Sequence, residues 1–286
     1  MPRSSPSNGQ GHATTLAQVC AARLGVPVER VALTSGDTAA MEQGTGTFGS
    51  RMAVMAGNAV AEAATGLRRQ ALNAAAELLE VAVSDLELTD GVIAVRGVPG
   101  RSVDLAQLAR LQQARDGSPL LRADAVFAPD TPTCFAGGAH AAVVAVDLET
   151  GVVEVERYIV VHDCGTVINP MVVEGQVHGG VAHGLGNALW EAMVYDAAGQ
   201  LLTADFLDYA MPHAPWVPRI EVEHQEHPSP YNPEGIKGAG EGGTIGALAT
   251  IAGAVEDALA PLRLTLNDLP IRSEDLARLC RPLRAR

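Results

Sequence analysis

Residues 140–186 read HAAVVAVDLETGVVEVERYIVVHDCGTVINPMVVEGQVHGGVAHGLG, and this stretch decides the fold class. Its first part, up to Gly165, predicts two long strands joined by a turn at 149–151, because β-branched residues flank turn-forming ones. Pro170 favours the first turn of a helix. Apolar residues then recur at helical spacing at Val173, Val177, Val181, Leu185 and Leu189. Two strands followed by a long helix predict an α+β, or mixed α/β, fold.

The sequence on either side predicts further helices and strands. The spacing of apolar residues predicts helices at Thr14–Leu24, Met52–Glu80, Ile245–Leu259 and Glu274–Cys280. Asp90 and Gly91 predict a hairpin turn within Asp85–Gly97. Extended stretches are expected at Val28–Leu33 and near Leu201 and Ile220. Loop-forming residues dominate 113–136, so we expect two elongated subdomains, residues 1–136 and residues 137–286.

Composition excludes several classes of protein. A chain of 286 residues that is 47% hydrophobic is long enough to bury a core. Its 33 acidic and 20 basic residues give a formal charge of −13 without a basic cluster, so no nucleic-acid partner is expected. No apolar run has the length of a membrane span and the first residues lack a secretory signal pattern, which predicts a cytoplasmic protein. The four cysteines form no CxxC pair, which argues against a zinc knuckle or a disulfide framework.

Two glycine-rich stretches match the pattern G-x-G-x-x-G, at Gly44–Gly49 and Gly238–Gly243. A dinucleotide fingerprint of the Rossmann type needs a strand directly before the first glycine and a helix directly after the last. Neither stretch follows a predicted strand directly, so a nucleotide-binding dehydrogenase is a minor alternative, which binding of NAD to the chain would support. Glycine nevertheless lets backbone N–H groups approach an anionic ligand closely.

Glu241 is the acidic residue most suited to chemistry, because it lies between Gly240 and Gly242 just before a predicted helix. Two interpretations stay open from the residues alone. The carboxylate either caps the helix or acts as a general base beside a closely approaching ligand. Gln10 and Gln176 also lie next to glycine, and each amide offers two donors and an acceptor to a polar ligand.

The run EVEHQEHP, Glu221–Pro228, places two histidines and several acids close together. Alternation along a strand directs His224 and Glu226 to one face and His227 to the other, so the three side chains do not converge on a metal. We therefore predict a solvated edge strand, and no metal ligand is assigned to the chain.

Five ordered sequence blocks cover nearly the whole chain. They are GQGHATTLAQ at Gly9–Gln18, GDT at Gly36–Thr38, GTGTFGSR at Gly44–Arg51, HDCGTVINPMVVEGQVHGGVAHGLG at His162–Gly186 and PEGIKGAGEGGTIGA at Pro233–Ala247. Together they resemble the C-terminal molybdopterin-binding portion of the molybdenum hydroxylases, the family of xanthine dehydrogenase, aldehyde oxidase and carbon monoxide dehydrogenase large subunits. The GEGGT form of the last block is more similar to the bacterial carbon monoxide dehydrogenase and N-heterocycle branch of the family than to the animal xanthine oxidase branch.

The resemblance implies an oxidoreductase that hydroxylates a small molecule with oxygen from water. It assigns Glu241 the role of general base. The implied cofactor is molybdenum-bound molybdopterin cytosine dinucleotide, while iron–sulfur clusters and FAD are expected on partner subunits. The positions that match the family's cofactor contacts are Gln10, Gly11, Thr47, Gly49, Ser50, Arg51, Gln176 and Gly240.

Large subunits of this family are considerably longer than the present chain. Their N-terminal half, which supplies part of the active site, has no counterpart here, and Met1 falls just ahead of the GQGH block. We therefore expect either a split molybdenum subunit, with the N-terminal half as a separate partner chain, or a truncated frame. The alternative function is that of a non-catalytic remnant or assembly subunit. The residues that choose among an aldehyde, an N-heterocycle and a carbon monoxide-like substrate lie mostly in the missing half.

Overall fold

The computed structural model describes residues 6–39, 44, 46–116, 121–129 and 134–281. These residues form a mixed α/β fold. Its helices are α1 His12–Leu24, α2 Met52–Leu79, α3 Leu105–Asp116, α4 Pro170–Leu189, α5 Gly242–Ile245, α6 Ala247–Ala258 and α7 Ser273–Cys280. Its strands are β1 Leu86–Thr89, β2 Val92–Val95, β3 Val98–Asp104, β4 Gly137–Val146, β5 Val153–Asp163 and β6 Ile220–Gln225.

The chain divides into two compact units. The first contains the described residues up to Cys134 together with Thr166–Asn169 and Pro228–Lys237. The second contains Phe135–Gly165, Pro170–His227 and the described residues from Gly238 onward. A functional division at residue 136 stays a prediction.

Most predicted elements are present. Near Leu201 the described residues form an isolated bridge with Tyr195 and no strand. Two further differences have identifiable reasons. Val28–Arg30 forms a 3₁₀ turn, and the described residues directly after it form no strand, because β-branched residues without a pairing partner do not make one. The predicted helix at Ile245–Leu259 is two helices, α5 and α6, which meet at Gly246. Part of the predicted boundary at 113–136 lies outside the described residues.

The first unit packs α2 and α3 on an antiparallel sheet with the strand order β1-β2-β3. Ala71 and Ala75 of α2 are fully buried against this sheet, together with Ile93 of β2. Small side chains on α2 let the helix backbone approach the sheet closely, which compensates for the short strands.

A polar network fixes the segment Pro228–Lys237 in the first unit. The Asn58 Nδ2 group donates to Asn232 Oδ1 at 3.0 Å, and Asn232 Nδ2 donates to the Ile236 carbonyl at 2.8 Å. Both asparagines are buried, and buried amides with satisfied hydrogen bonds stabilise one backbone conformation. The segment that leads to Glu241 therefore starts from a fixed position in its own unit.

The second unit contains a sheet with the strand order β4-β5-β6. β4 and β5 pair antiparallel, whereas β5 and β6 pair parallel with His162 opposite His224. Helices α4 and α6 cover one face of this sheet, and the shared core includes Tyr158, Val160, Val177, Val181, Leu185, Ile251 and Val255. No helix within the described ranges is long and apolar enough to cross a membrane. The cytoplasmic location stays a prediction.

Candidate functional site

A pocket of about 540 Å³ lies in the second unit between α4 and the chain around Glu241. Its walls are formed by Gly175, Gln176, Gly179, Gly180, His183, Gly240, Glu241, Thr244 and Ile245. The structure thus brings together three residues that the sequence singled out, which are Gln176, Gly240 and Glu241. Gln176 comes from α4, whereas Gly240 and Glu241 come from the turn that precedes α5, far away in the sequence.

Two faces of α4 carry glycines that serve different purposes. Gly175, Gly179 and His183 follow each other at intervals of four residues, so they share one face of the helix. A Cβ atom built on Gly175 or Gly179 would meet no heavy atom of the described residues within 4 Å. A Cβ atom built on Gly180 would lie 2.9 Å from both Gly243 Cα and Thr244 N. The first pair of glycines opens the pocket, whereas Gly180 permits close packing of α4 on α5.

Glu241 lies at the position just before α5, with φ −112° and ψ 0°. Its backbone carbonyl accepts hydrogen bonds from the N–H groups of Thr244 and Ile245, both at 3.1 Å. Its side chain makes no capping hydrogen bond to the helix. The capping interpretation of the carboxylate is therefore wrong, and the general-base interpretation stays a prediction.

The segment Gly240–Gly246, which we call the Glu241 turn, is confined on two sides. A Cβ atom on Gly243 would collide with the Val177 carbonyl of α4. On the opposite side, a Cβ atom on Gly242 would collide with the His162 ring, and one on Gly246 would lie 3.0 Å from the ring of His140. A Cβ atom would clash at Gly242 and Gly243 and would be tightly packed at Gly246, so the backbone of the turn passes closely between α4 and the sheet.

The histidines below the turn are held in the buried face of the sheet. His140 Nδ1 lies 2.8 Å from the Tyr158 hydroxyl. Burial lowers the pKa of His140, while a hydrogen bond with the Gly242 backbone acts in the opposite direction. Burial also lowers the pKa of His162, and the neighbouring His224 and His140 add to this effect while Asp163 opposes it. Burial raises the pKa of Tyr158 to about 12.

The prediction of a solvated edge strand at 221–228 is half wrong. β6 is an edge strand, but His224 faces the sheet interior and both of its ring nitrogens are buried. The rings of His224 and His162 lie 6.4 Å apart, centroid to centroid, at an angle of 82°. Parallel pairing with β5 causes this burial, because it places the two histidines directly opposite each other. His227 lies outside the strand, with Nδ1 3.1 Å from Asp163 Oδ2.

Acidification below about pH 6.5 should destabilise the fold. The pKa of His162 is lowered in the folded chain, so its contribution to stability is fully present above pH 6.5 and is lost as the pH falls. This loss amounts to at most about 1.4 kcal/mol per pH unit for this histidine. Urea unfolding at several pH values measures it. His162→Gln should show a smaller pH slope, and equal slopes in both proteins would contradict the prediction.

Two of the predicted cofactor contacts, Gln10 and Gly11, directly precede α1. Gln10 Oε1 accepts a hydrogen bond from the backbone N–H of Asn8 at 2.6 Å. Gly11 adopts a left-handed conformation with φ 72°, and no side chain caps the helix at this position. Glycine has no side chain that could cap the first N–H groups of α1. A helix N-terminus without a side-chain cap favours anions.

Four more of the predicted contacts lie just before α2: Thr47, Gly49, Ser50 and Arg51. Gly49 and Ser50 have φ values of 65° and 50°, which form a tight left-handed turn into the helix. The Arg51 guanidinium carbon lies 4.8 Å from the centroid of the Phe48 ring. Thr47 Oγ1 donates to the Pro6 carbonyl at 2.7 Å. This hydrogen bond joins the two loops within the first unit.

The described residues contain no group of three or more His, Cys, Asp or Glu side chains suited to hold a metal ion.

Sequence reasoning missed six residues of the pocket walls: Gly175, Gly179, His183, Gly180, Thr244 and Ile245. The spacing of the first three by four residues was a usable signal, because it places them on one helical face. Thr244 Oγ1 lies 3.4 Å from His183 Nδ1, so these two side chains meet across the pocket wall.

Comparison with known proteins shows several similar chains. The family described as molybdopterin cofactor-binding domain matches residues 4–218. The nicotine 6-hydroxylase large subunit of Paenarthrobacter nicotinovorans is 41% identical over 95% of this chain and 34% of its own length. The carbon monoxide dehydrogenase large chain of Hydrogenophaga pseudoflava is 38% identical over 92% of this chain and 33% of its own.

A solved structure gives the same picture. Quinoline 2-oxidoreductase from Pseudomonas putida 86 superposes with a TM-score of 0.86 at 40% identity, over 97% of this chain and 36% of that one. The chain therefore spans about a third of the length of the relatives that it matches.

Proposed function

The chain belongs to the molybdenum hydroxylase family, and from this premise we propose that it is the molybdopterin-binding part of a molybdenum-dependent oxidoreductase. The reaction would be hydroxylation of a small molecule with oxygen from water. The observation that carries this proposal is the pocket in which Gln176 and Glu241 meet against the open glycine face of α4.

The residues of the pocket fit a flat organic cofactor. The space that a Cβ atom would fill at Gly175 or Gly179 is empty, because no heavy atom of the described residues lies within 4 Å of either position. Gly240 adds a third wall residue without a side chain. A planar ring system could therefore lie directly against backbone, where the Gln176 amide supplies two donors and an acceptor.

For the cofactor we propose molybdopterin cytosine dinucleotide. The two loops that precede α1 and α2 present helix N-termini and left-handed glycines, which suit phosphate groups. The residues assigned to this role are Gln10, Gly11, Thr47, Gly49, Ser50 and Arg51. Arg51 is the cation among them and suits a phosphate.

In the proposed reaction, the molybdenum cofactor supplies two-electron redox chemistry when it is bound. Glu241 accepts a proton at a carboxylate oxygen, which requires the ionised form. Gln176 orients the polar edge of the cofactor through its amide group. The Glu241 turn packs closely against α4 on one side and the sheet on the other, which supports a defined position for the carboxylate relative to Gln176.

The substrate class that we place first is an N-heteroaromatic molecule. Two of the relatives are named for nicotine and for quinoline, and these are 41% and 40% identical to the chain. An aldehyde and a carbon monoxide-like molecule are the alternatives. The proposed partners are the N-terminal part of the molybdenum subunit, an iron–sulfur subunit and an FAD subunit, since the chain spans about a third of its relatives.

Cofactor content tests the proposal. The chain, co-expressed with a large-subunit segment that corresponds to the remaining two thirds of its relatives, should purify with molybdenum and a cytosine nucleotide. Gly179→Val should reduce this content about tenfold, because the side chain enters the pocket and costs about 1.4 kcal/mol of binding free energy.

Gly253→Val is the matched control, since Gly253 is also an exposed helical glycine with no described atom within 4 Å of its Cβ position. It lies on α6 outside the pocket walls and should leave the content unchanged. A purified complex with no molybdenum and no nucleotide would favour the non-catalytic remnant or assembly subunit instead.

A further inference from the structure

His162 is a buried polar residue that the proposed chemistry does not use. Its side chain is 2% exposed, and neither ring nitrogen has a hydrogen-bond partner among the described residues. The residues that precede it on the same face of β5, Tyr158 and Val160, are fully buried in the core. An imidazole with both nitrogens unsatisfied lies at the end of an otherwise apolar row.

Stability of the core does not explain this choice of residue. A buried donor or acceptor without a partner costs about 1–3 kcal/mol, whereas an apolar side chain of similar size avoids the cost. The neighbouring His224 repeats the situation, because both of its ring nitrogens are also buried without a partner in the described part of the chain. A role for one of these rings must therefore come from what it contacts.

The two rings differ in their contact with the Glu241 turn. The Nε2 and Cδ2 edge of His162 occupies the space where Gly242 would carry a Cβ atom, with Cδ2 2.7 Å from that position. The ring edge is thus in direct contact with the backbone next to Glu241. Gly243, on the other side, lies against the Val177 carbonyl of α4. The backbone of the turn therefore lies against the His162 ring at Gly242 and against α4 at Gly243, with no space for a Cβ atom at either position.

We propose that His162 is a positioning residue for Glu241, because the edge of its ring supports Gly242 and sets the depth of the carboxylate in the pocket. Support of Gly242 depends on the length of the His162 side chain out to Nε2. His224 does not have this role. The importance of this position for turnover rests on the proposed function, whereas support of the turn is a property of the chain alone.

Hydrogen exchange of the backbone amides in Gly240–Gly246, measured by mass spectrometry on the full 286-residue chain, tests the inference. His162→Asn should increase exchange in this segment about tenfold, because the shortened side chain no longer reaches Gly242 and local opening becomes easier. His162→Gln should keep exchange near the wild-type rate, because its amide reaches as far as Nε2. Asn and Gln differ by one methylene group, so the comparison isolates the effect of side-chain length.

His224→Ala and His162→Ala form the matched control pair, since each removes one ring of the same buried pair. Both should lower the thermal midpoint, but only His162→Ala should increase exchange in the Glu241 turn. If His162→Ala does not fold, the comparison of Asn with Gln decides alone. Equal exchange in the Asn and Gln variants, or equal effects of the two alanine variants, would overturn the inference.

Turnover gives a second readout in the assembled enzyme. His162→Asn should lower kcat and leave KM nearly unchanged, because the carboxylate moves while the rest of the pocket is intact. His162→Gln should restore kcat. An unchanged kcat in His162→Asn would overturn the positioning role, whereas inactivity of the assembled wild-type enzyme would count against the proposed function and leave the exchange result valid.

Discussion

Glu241→Gln should reduce kcat of the assembled enzyme by about 10²–10⁴-fold, the usual contribution of a general base. Glutamine has the same shape and can still donate and accept hydrogen bonds, but it cannot take up a proton at neutral pH. The carboxylate of Glu241 does not cap α5, so the substitution removes no helix-capping interaction. Because glutamine keeps the size and the hydrogen-bonding capacity of the side chain, the molybdenum content and the thermal midpoint should stay close to those of the wild type.

Glu174→Gln is the matched control, because Glu174 is an exposed acid on α4 next to Gly175 and does not line the pocket. It should leave kcat unchanged. Steady-state kinetics with an N-heteroaromatic substrate, an aldehyde and carbon monoxide would measure both variants. If Glu241→Gln retains the turnover of the wild type on the substrate that is accepted, the residue is not the base.

Gly180→Ala should lower the free energy of unfolding by about 1–3 kcal/mol, the range for an overpacked core position. The added Cβ atom would lie 2.9 Å from Gly243 Cα and 2.9 Å from Thr244 N. Both contacts are with backbone, which cannot rotate away as a flexible side chain does. Relief requires that α4 and α5 separate, so the Glu241 turn should also lose its fixed position.

Gly179→Ala, one residue earlier on the same helix, should have the opposite effect. Its Cβ position meets no described atom within 4 Å, and alanine stabilises a helix interior relative to glycine by about 0.5–1 kcal/mol. Urea unfolding of the two variants under one set of conditions makes the comparison. A loss of stability in both variants, of similar size, would show that α4 does not have two distinct glycine faces.

Much of the fold could be predicted from periodicity because the signals are local. The apolar spacing that begins at Val173 predicted α4, and the Asp90-Gly91 turn predicted the β1–β2 hairpin. The run at Val28–Leu33 has β-branched residues but no partner strand, and the sequence does not display partners. β-propensity reflects how well a side chain packs against neighbouring strands, so it predicts a strand wrongly where no neighbouring strand is present.

The candidate site could be predicted only in part, because half of it depends on contacts between distant segments. Gln176, Gly240 and Glu241 were identified from their glycine-rich surroundings and do line one pocket. The burial of His224 could not be predicted, because it follows from parallel pairing with β5, which reverses the expectation for a polar edge strand. The requirement for glycine at Gly242 likewise depends on His162, which lies on another element.

The parallel pairing of β5 with β6 also sets an order for folding. The β4–β5 hairpin and α4 form from neighbouring segments of the chain. His162 of β5 and His224 of β6 are about 60 residues apart. Contacts between residues so distant in sequence form later than local contacts. The part of the sheet that lies against the Glu241 turn is therefore completed only after the hairpin and α4 exist. We expect a cofactor to bind after β6 has joined the sheet, and to stabilise that last step by mass action. A nascent chain that has not yet received β6 would have α4 and its glycines, but no pocket to load.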